Sequence, residues 1–335
     1  MVIKNKFKKI GMILILVMFS MFILACSTEK VTELTPVKVQ LKWVHQAQFA
    51  GNYVAQEKGF YQEEGIEIIE LKPFDYVNWP IDRIENKEVD FAITGGDELI
   101  LAKASGKADH VKAIAVIYKI NPVCLYSLAE TKITQPEDLL GKTIGIERAA
   151  DGSEINVGIL YKAMMSKLNL NKEKVNEITI GYGATELLAG ETDVSTGYVI
   201  NEPHQAIEAG QEVNIILPAE YGVNMYADII IVHEDMIKEN PELVKGFIDA
   251  TLNGWQYAIE NEKEAVEIVL KYATERSQSH EAYMLKESVP LIHTGEPLGL
   301  MKEEEWKNIN SILIENNLLE QEVSLEEIYT NEFIR

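Results

Sequence analysis

The chain has 335 residues, 47% of them hydrophobic, and a formal net charge of −22. A chain of this length can bury a sizeable core without covalent cross-links, and its two cysteines offer no disulfide framework. The acidic balance excludes nucleic acid as a partner, because binding to phosphate backbones depends on clustered Lys and Arg.

The first 25 residues have the pattern of a targeting segment. Four lysines between residues 4 and 9 precede an uncharged apolar run, residues 10–25, which is shorter than the ~20 residues of a membrane span. The run ends in Ile-Leu-Ala before Cys26 and resembles a bacterial lipoprotein cleavage box. We expect residues 1–25 to be a lipoprotein signal peptide and Cys26 to carry the lipid that anchors the chain at the outer face of the cell membrane. An uncleaved signal anchor is the alternative.

Residues 26–36 are polar, lack periodicity and are predicted to form a tether. Beyond them, strand-like and helix-like segments alternate, which predicts a largely parallel α/β sheet covered by helices on both faces. The hydrophobic patterns predict helices over residues 49–58, 80–87, 97–105, 153–168, 185–190, 203–209, 241–260, 263–273, 279–289 and 303–316.

The segment after the first strand carries the clearest functional signal. Trp43, His45, Gln46, Gln48 and Phe49 follow the strand end, where ligands bind in open α/β sheets. One large aromatic face and several uncharged donors and acceptors suit a flat, polar heteroaromatic molecule. Alternatively, Trp43 is a core residue, His45 lies at the surface or behind the site, and one of the two glutamines caps the helix that follows.

This segment resembles the N-terminal signature of ABC-importer solute-binding proteins for thiamine pyrimidine precursors. The resemblance includes the tail AQEKGFYQEEG (55–65), PEDLLGKTIGIE (136–147) and YVINEP (198–203). The run HQAQFAG (45–51) is closer to a related branch that includes riboflavin binders. The resemblance implies capture of a flat vitamin or vitamin precursor, with a thiamine pyrimidine precursor such as formylaminopyrimidine favoured over riboflavin. It also implies an ABC permease and ATPase as partners, a monomer, and no cofactor.

The expected architecture is the type II periplasmic-binding-protein fold, with two lobes, a hinge and a ligand cleft between the lobes. The chain is expected to cross between lobes near residues 121–125 and 226–230. Lobe one would then comprise residues 37–122 plus 230–335, and lobe two residues 123–229. Ligand binding would close the hinge.

Further site candidates lie where strands meet helices. Gly95 and Gly96 allow a ligand to approach the backbone closely, and Asp97 is either a ligand contact or only a helix cap. Ser153 is a plausible cap that faces the cleft from lobe two. The resemblance implies that Glu202, beside Asn201, contacts a pyrimidine, although a carboxylate at a helix start is also favoured by the helix dipole. Three aromatic residues in loop-like contexts are predicted to wall the site: Trp79, Tyr221 and Tyr226.

Two other classes of protein remain as alternatives. Fungal relatives of the family are enzymes that build the thiamine pyrimidine from pyridoxal phosphate and one of their own histidines. Alignment on residues 102–106 places that histidine at Glu98 and the cofactor lysine at Thr94, so we do not expect an enzyme. A sensor lipoprotein without a transport role is the second alternative. Six scattered histidines show no metal-site spacing, and no metal is expected.

Overall fold

A computed structural model describes residues 33–148, 152 and 154–334. In this part of the chain the strands form two five-stranded sheets, which confirms the predicted α/β class. The strands are β1 (Thr35–Gln40), β2 (Ile66–Lys72), β3 (Phe91–Thr94), β4 (Val111–Val116), β5 (Val123–Leu128), β6 (Thr143–Glu147), β7 (Asn176–Ile180), β8 (Val194–Tyr198), β9 (Val213–Ile216) and β10 (Ile229–His233). The first sheet has the order β2-β1-β3-β10-β4 and the second β7-β6-β8-β5-β9.

Helices surround both sheets close to the predicted positions. They are α1 (Ala50–Glu57), α2 (Phe60–Glu63), α3 (Pro80–Glu85), α4 (Gly96–Ala104), α5 (Asn156–Lys167), α6 (Thr185–Leu188), α7 (Glu202–Glu208), α8 (Glu234–Glu239), α9 (Pro241–Glu260), α10 (Glu262–Val269), α11 (Gln278–Ile292), α12 (Glu303–Glu315) and α13 (Leu325–Ile328). The short helices α2, α8 and α13 were not predicted. No helix in the described ranges is long and apolar enough to cross a membrane.

Each sheet contains one strand that runs against the others. β10 is antiparallel to both β3 and β4, and β5 is antiparallel to both β8 and β9, whereas β1 pairs in parallel with β2 and β3. β5 and β10 are the strands that the chain enters directly from the other sheet. Because the carboxyl ends of the parallel strands of both sheets face each other, a chain that crosses enters the new sheet from that end and must run in the opposite direction.

The two crossing segments lie side by side. The chain leaves the first sheet after Val116 and returns to it at Ile229. The backbone N–H of Asn121 donates to Asn224 Oδ1 at 2.9 Å, and the Asn121 side chain donates to the carbonyl of Met225 at 3.1 Å. These bonds pair the two connections where a hinge is expected, and the residue boundaries of the two lobes stay a prediction.

Helix α1 is fixed tightly against α9. A Cβ atom added to Gly254 would lie 2.0 Å from the carbonyl oxygen of Gly51, and one added to Gly51 would lie 2.3 Å from the ring of Trp255. Trp255 is buried in the same contact. Glycine at both positions therefore allows the helices to approach closely, and this packing holds the loop that precedes α1 in place.

Candidate functional site

A cavity of about 390 Å³ opens where the carboxyl-end loops of the two sheets meet. This is the edge at which open α/β sheets bind ligands. The residues that line it come from both sheets and from the segment before α11: Lys42, Trp43, Val44, Gln46, Gln48, Phe74, Tyr76, Trp79, Pro80, Glu98, Glu147, Ile155, Asn156, Val157, Tyr182, Tyr198, Asn201, Glu202, Gln205 and Arg276.

Five aromatic rings form one wall of the cavity. Trp43 stacks on Phe74 with ring centroids 6.1 Å apart and meets Tyr76 edge-on at 5.3 Å. Its ring also lies 5.4 Å from that of Tyr182, which follows β7 of the second sheet. Phe74 lies 5.2 Å from Trp79. Because Tyr76, Trp79 and Tyr182 each keep at least half of their surface exposed, they can stack on a flat ligand.

Side-chain amides hold the Trp43 loop from behind. Gln46 donates to Gln48 Oε1 at 2.7 Å, and Gln48 donates to Asp228 Oδ2 at 2.8 Å. Arg276 donates to Gln46 Oε1 at 3.1 Å. Neither glutamine makes a side-chain cap on the following helical turns, so the expectation that one of them caps is wrong. The amides instead fix the loop between α11 and the first sheet.

His45 lies behind this loop and does not line the cavity. Its Nδ1 lies 2.9 Å from the Tyr53 hydroxyl, and burial lowers the pKa of the imidazole. The next residues are held by Glu281, a buried carboxylate on α11 that accepts from the backbone N–H of Ala47. Burial raises the pKa of Glu281 to about 7.

A lysine at the floor of the cavity is surrounded by acidic groups. Lys42 Nζ donates to the carbonyl of Ala227 at 3.1 Å and lies 3.7 Å from Asp228 Oδ1. Burial would lower the pKa of Lys42, but the Tyr198 hydroxyl and the carboxylates of Glu98, Asp228 and Asp97 together raise it. Lys42 therefore remains a cation at neutral pH.

Glu98, rather than Asp97, is the residue of α4 that faces the cavity. Glu98 Oε2 accepts from the Thr94 hydroxyl and, at 2.8 Å, from the backbone N–H of Gly95. Asp97 is buried, and burial followed by the charge of Glu98 raises its pKa to about 6. A Cβ atom on Gly96 would lie 3.2 Å from the carbonyl of Tyr226, so this glycine serves packing against the core. Asp97 is not the N-cap residue of α4, because Gly95 holds that position.

Two buried glutamates face the cavity from the second sheet. Glu202 Oε2 accepts from the backbone N–H of Tyr198 at 2.7 Å, and its other oxygen accepts from Asn201. Glu147 Oε1, at the end of β6, is buried without a hydrogen-bond partner among the described residues. Burial, followed by the charge of Glu202, raises the pKa of Glu147 to about 9, and burial also raises the pKa of Glu202. Glu147 thus carries a proton at neutral pH and can donate it in a hydrogen bond.

Residues 46–265 match the sequence family described as NMT1/THI5 like. The chain belongs to this family. It is 29% identical to the riboflavin-binding protein RibY of Chloroflexus aurantiacus, over 90% of this chain and 86% of that protein. It is 26% identical to the formylaminopyrimidine-binding protein of Halalkalibacterium halodurans, over 98% and 99%. A 4-amino-5-hydroxymethyl-2-methylpyrimidine phosphate synthase of Legionella pneumophila is 23% identical over 89% and 92%.

The fold of this NMT1/THI5-like protein is also that of periplasmic binding proteins. The periplasmic aliphatic sulphonate binding protein SsuA of Escherichia coli superposes with a TM-score of 0.67 at 13% identity, over 87% of this chain and 91% of that chain. The predicted type II periplasmic-binding-protein fold is therefore confirmed.

The structure brings only some of the predicted site residues of this family member together. Six of them line the cavity: Trp43, Gln46, Gln48, Trp79, Asn201 and Glu202. Tyr226 is in the core, because it is 2% exposed, meets Trp306 edge-on at 5.3 Å and accepts from the backbone N–H of Lys302. Tyr221 ends a short 3-10 helix, Pro218–Tyr221, outside the cavity. Ser153 lies outside the described residues.

Ten further polar or aromatic lining residues were not predicted, although most of them stand at or just after strand ends. Glu147 and Tyr198 are within the sequence segments that carry the family resemblance. The ten are Lys42, Phe74, Tyr76, Glu98, Glu147, Asn156, Tyr182, Tyr198, Gln205 and Arg276.

Proposed function

We propose that this chain, a solute-binding protein of an ABC import system, captures a flat heteroaromatic vitamin precursor of the aminopyrimidine type, such as formylaminopyrimidine. The observation that carries the proposal is the carboxyl pair Glu147 and Glu202, which opens onto a cavity walled by aromatic rings. The cavity volume of about 390 Å³ falls within the range of ~300–1,000 Å³ that is usual for small-molecule sites.

The hydrogen-bonding pattern of the carboxyl pair fits an aminopyrimidine. Such a ring presents a nitrogen acceptor next to an exocyclic amino donor. The protonated carboxyl of Glu147 can donate to the ring nitrogen, and the carboxylate of Glu202 can accept from the amino group. Trp43 and Tyr182 supply faces on which the ring can stack.

Riboflavin is the second candidate ligand. Five rings around one opening offer more stacking surface than a single pyrimidine needs, and the relative with 29% identity is named as a riboflavin-binding protein. A flavin presents carbonyl oxygens, which would accept from cationic donors such as Lys42 and Arg276.

Calorimetric titration of the wild type and of Glu202→Gln separates the two ligands. The substitution removes a charged acceptor, and a hydrogen bond to a charged group contributes ~1.5–3 kcal/mol. We expect the affinity for formylaminopyrimidine to fall roughly tenfold or more, and the affinity for riboflavin to change little. The control is Glu220→Gln, because Glu220 is exposed and lies outside this cavity.

Tight binding of riboflavin with no response to Glu202→Gln would favour the flavin instead.

The same samples report on hinge closure. Because the cavity is lined by loops of both sheets, a ligand that prefers the closed state should reduce the radius of gyration in small-angle scattering. An unchanged profile at saturation would mean a rigid site.

The residues of the cavity support binding rather than catalysis. Thr94 and Glu98 stand where the related synthases are expected to carry a lysine and a histidine. Here Thr94 donates to Glu98, which also accepts from the backbone N–H of Gly95. Lys42 lines the cavity, but its raised pKa keeps it as an ammonium ion, which is a poor nucleophile for a Schiff base. Cys124 is buried in the core.

We further propose that the protein works outside the cytoplasmic membrane, held by lipid on Cys26 near its permease. Cys26 lies outside the described residues. Cys26→Ser should abolish incorporation of labelled fatty acid and release the protein from the membrane fraction, whereas Cys124→Ser should leave both unchanged. Labelled, membrane-bound protein of mature size in the Cys26→Ser strain would contradict the anchor.

A further inference from the structure

Two buried histidines face each other where α7 approaches α11. His204 and His280 are 8% and 5% exposed, and their Nδ1 atoms lie 3.1 Å apart. The carboxylate of Glu208 is 3.8 Å from His204 Nδ1, and one nitrogen or oxygen of each of the three residues lies within 4.8 Å of the others. Among the described residues, this is the group of His and acidic side chains that converges in this way.

The neighbouring hydrogen bonds determine which nitrogen of His280 carries a proton. His280 Nε2 lies 2.8 Å from Asn201 Oδ1, and the Asn201 amide nitrogen donates to Glu202. Asn201 Oδ1 is therefore an acceptor, so Nε2 of His280 carries the hydrogen and Nδ1 keeps its lone pair. Burial, followed by the charge of Arg276, lowers the pKa of His280 to about 4 and keeps the ring neutral.

We propose that His204, Glu208 and His280 form a binding site for a divalent transition-metal ion such as Zn²⁺. Donor atoms of a tetrahedral zinc site, with bonds of ~2.0–2.1 Å, lie about 3.3 Å apart. The two Nδ1 atoms already have this spacing. Glu208 is exposed, and one of its carboxylate oxygens lies within 4.8 Å of a nitrogen of each histidine, so it would complete the set by moving closer to them. Water would fill the fourth position.

The surroundings of the three residues resemble the outer shell of a metal site. Asn201 orients His280 through the nitrogen that would not bind the ion. The hydroxyls of Ser277 and Ser279 donate to Glu208 Oε1 at 3.3 and 2.7 Å. When the ion binds, the proton on His204 Nδ1 moves to Nε2, so that both imidazoles remain neutral ligands.

The site would connect two separately packed parts of the protein. His204 and Glu208 lie one turn apart on α7, which packs against β8 and β9 of the second sheet. His280 lies on α11, which packs against α10 and the loop before α1. An ion held by all three would fasten α7 to α11 beside the Asn201–Glu202 end of the cavity.

Equilibrium dialysis against Zn²⁺, followed by elemental analysis, tests the site. We expect one equivalent of zinc on the wild type, and an affinity at least about tenfold weaker for His280→Ala and for Glu208→Ala. Saturating zinc should raise the Tm of the wild type by about 5 °C and leave that of the two variants nearly unchanged.

His110→Ala is the matched control. His110 stacks on His233, but among the described residues this pair belongs to no group of three His, Cys or acidic side chains whose donor atoms converge. This variant should bind zinc as the wild type does. Glu208 is at the surface, so Glu208→Ala decides the outcome if His280→Ala does not fold. A wild type that retains no zinc, or zinc binding that survives in Glu208→Ala, would overturn the proposal.

Discussion

Replacing Trp43 with alanine is expected to weaken binding of every flat ligand by roughly ten- to a hundredfold. Aromatic stacking on a base-like ring is worth on the order of 1–3 kcal/mol by alanine substitution, which corresponds to that range of affinity. Trp43 touches Phe74, Tyr76 and Tyr182, so its loss also removes the ring that joins the aromatic residues of the two sheets. Calorimetric titration with formylaminopyrimidine, thiamine and riboflavin measures the effect for each ligand.

Two variants distinguish stacking from a general disturbance of the fold. Trp43→Phe keeps an aromatic face and should recover most of the affinity. Tyr221→Ala removes an aromatic residue outside the cavity and should leave the affinity unchanged. Because the backbone carbonyl of Trp43 also accepts from Phe74, circular dichroism and Tm should be compared for all variants. Wild-type affinity in a folded Trp43→Ala protein would place the stacking site elsewhere.

The fold could be predicted largely from local patterns. The helix predicted over residues 241–260 is α9 with those bounds, because a long amphipathic period has few alternative interpretations. Strands β5, β6 and β10 also match the predicted segments, because short apolar runs of β-branched residues are bounded by turns. Periodicity says nothing of strand direction, however. The antiparallel placement of β5 and β10 follows from the crossings between sheets, which no local pattern encodes.

The site could be predicted less well, for a physical reason. Alternating patterns identify strand ends, and Trp43 was found in this way, whereas Glu202, beside Asn201, was found through the family resemblance. At a strand–helix junction, a shift of one position along the chain turns a different side chain toward the cavity. Asp97 was predicted on α4, but its neighbour Glu98 faces the cavity. Glu147 ends a buried strand, where a carboxylate costs free energy unless it is paired or protonated. This cost could have identified Glu147 as a candidate site residue.

The second large effect concerns Glu147, whose proton should make stability depend on pH. The ordinary pKa of its carboxyl is 4.5, and burial, with the charge of Glu202, raises the folded-state value to about 9. Between these two values the folded protein binds more protons than the unfolded chain. The contribution of Glu147 to the free energy of unfolding is therefore fully present below about pH 4.5 and is lost as the pH rises toward 9. Glu147→Gln keeps the neutral shape and removes this dependence.

Urea denaturation between about pH 7.5 and 9 isolates the contribution of Glu147. Three other carboxyls with raised pKa values, Asp97 and Asp228 at about 6 and Glu281 at about 7, have the same sign but have largely lost their protons there. Glu202, whose pKa burial also raises, is present in both proteins. As the pH rises, we expect the free energy of unfolding of Glu147→Gln to increase relative to that of the wild type by ~1.4 kcal/mol per pH unit. Glu220→Gln, at an exposed carboxyl, should follow the wild type. Parallel curves for Glu147→Gln and the wild type would mean that Glu147 is already ionised at neutral pH. In that case it could not donate a hydrogen bond to a ring nitrogen, and the argument for an aminopyrimidine ligand would lose its donor.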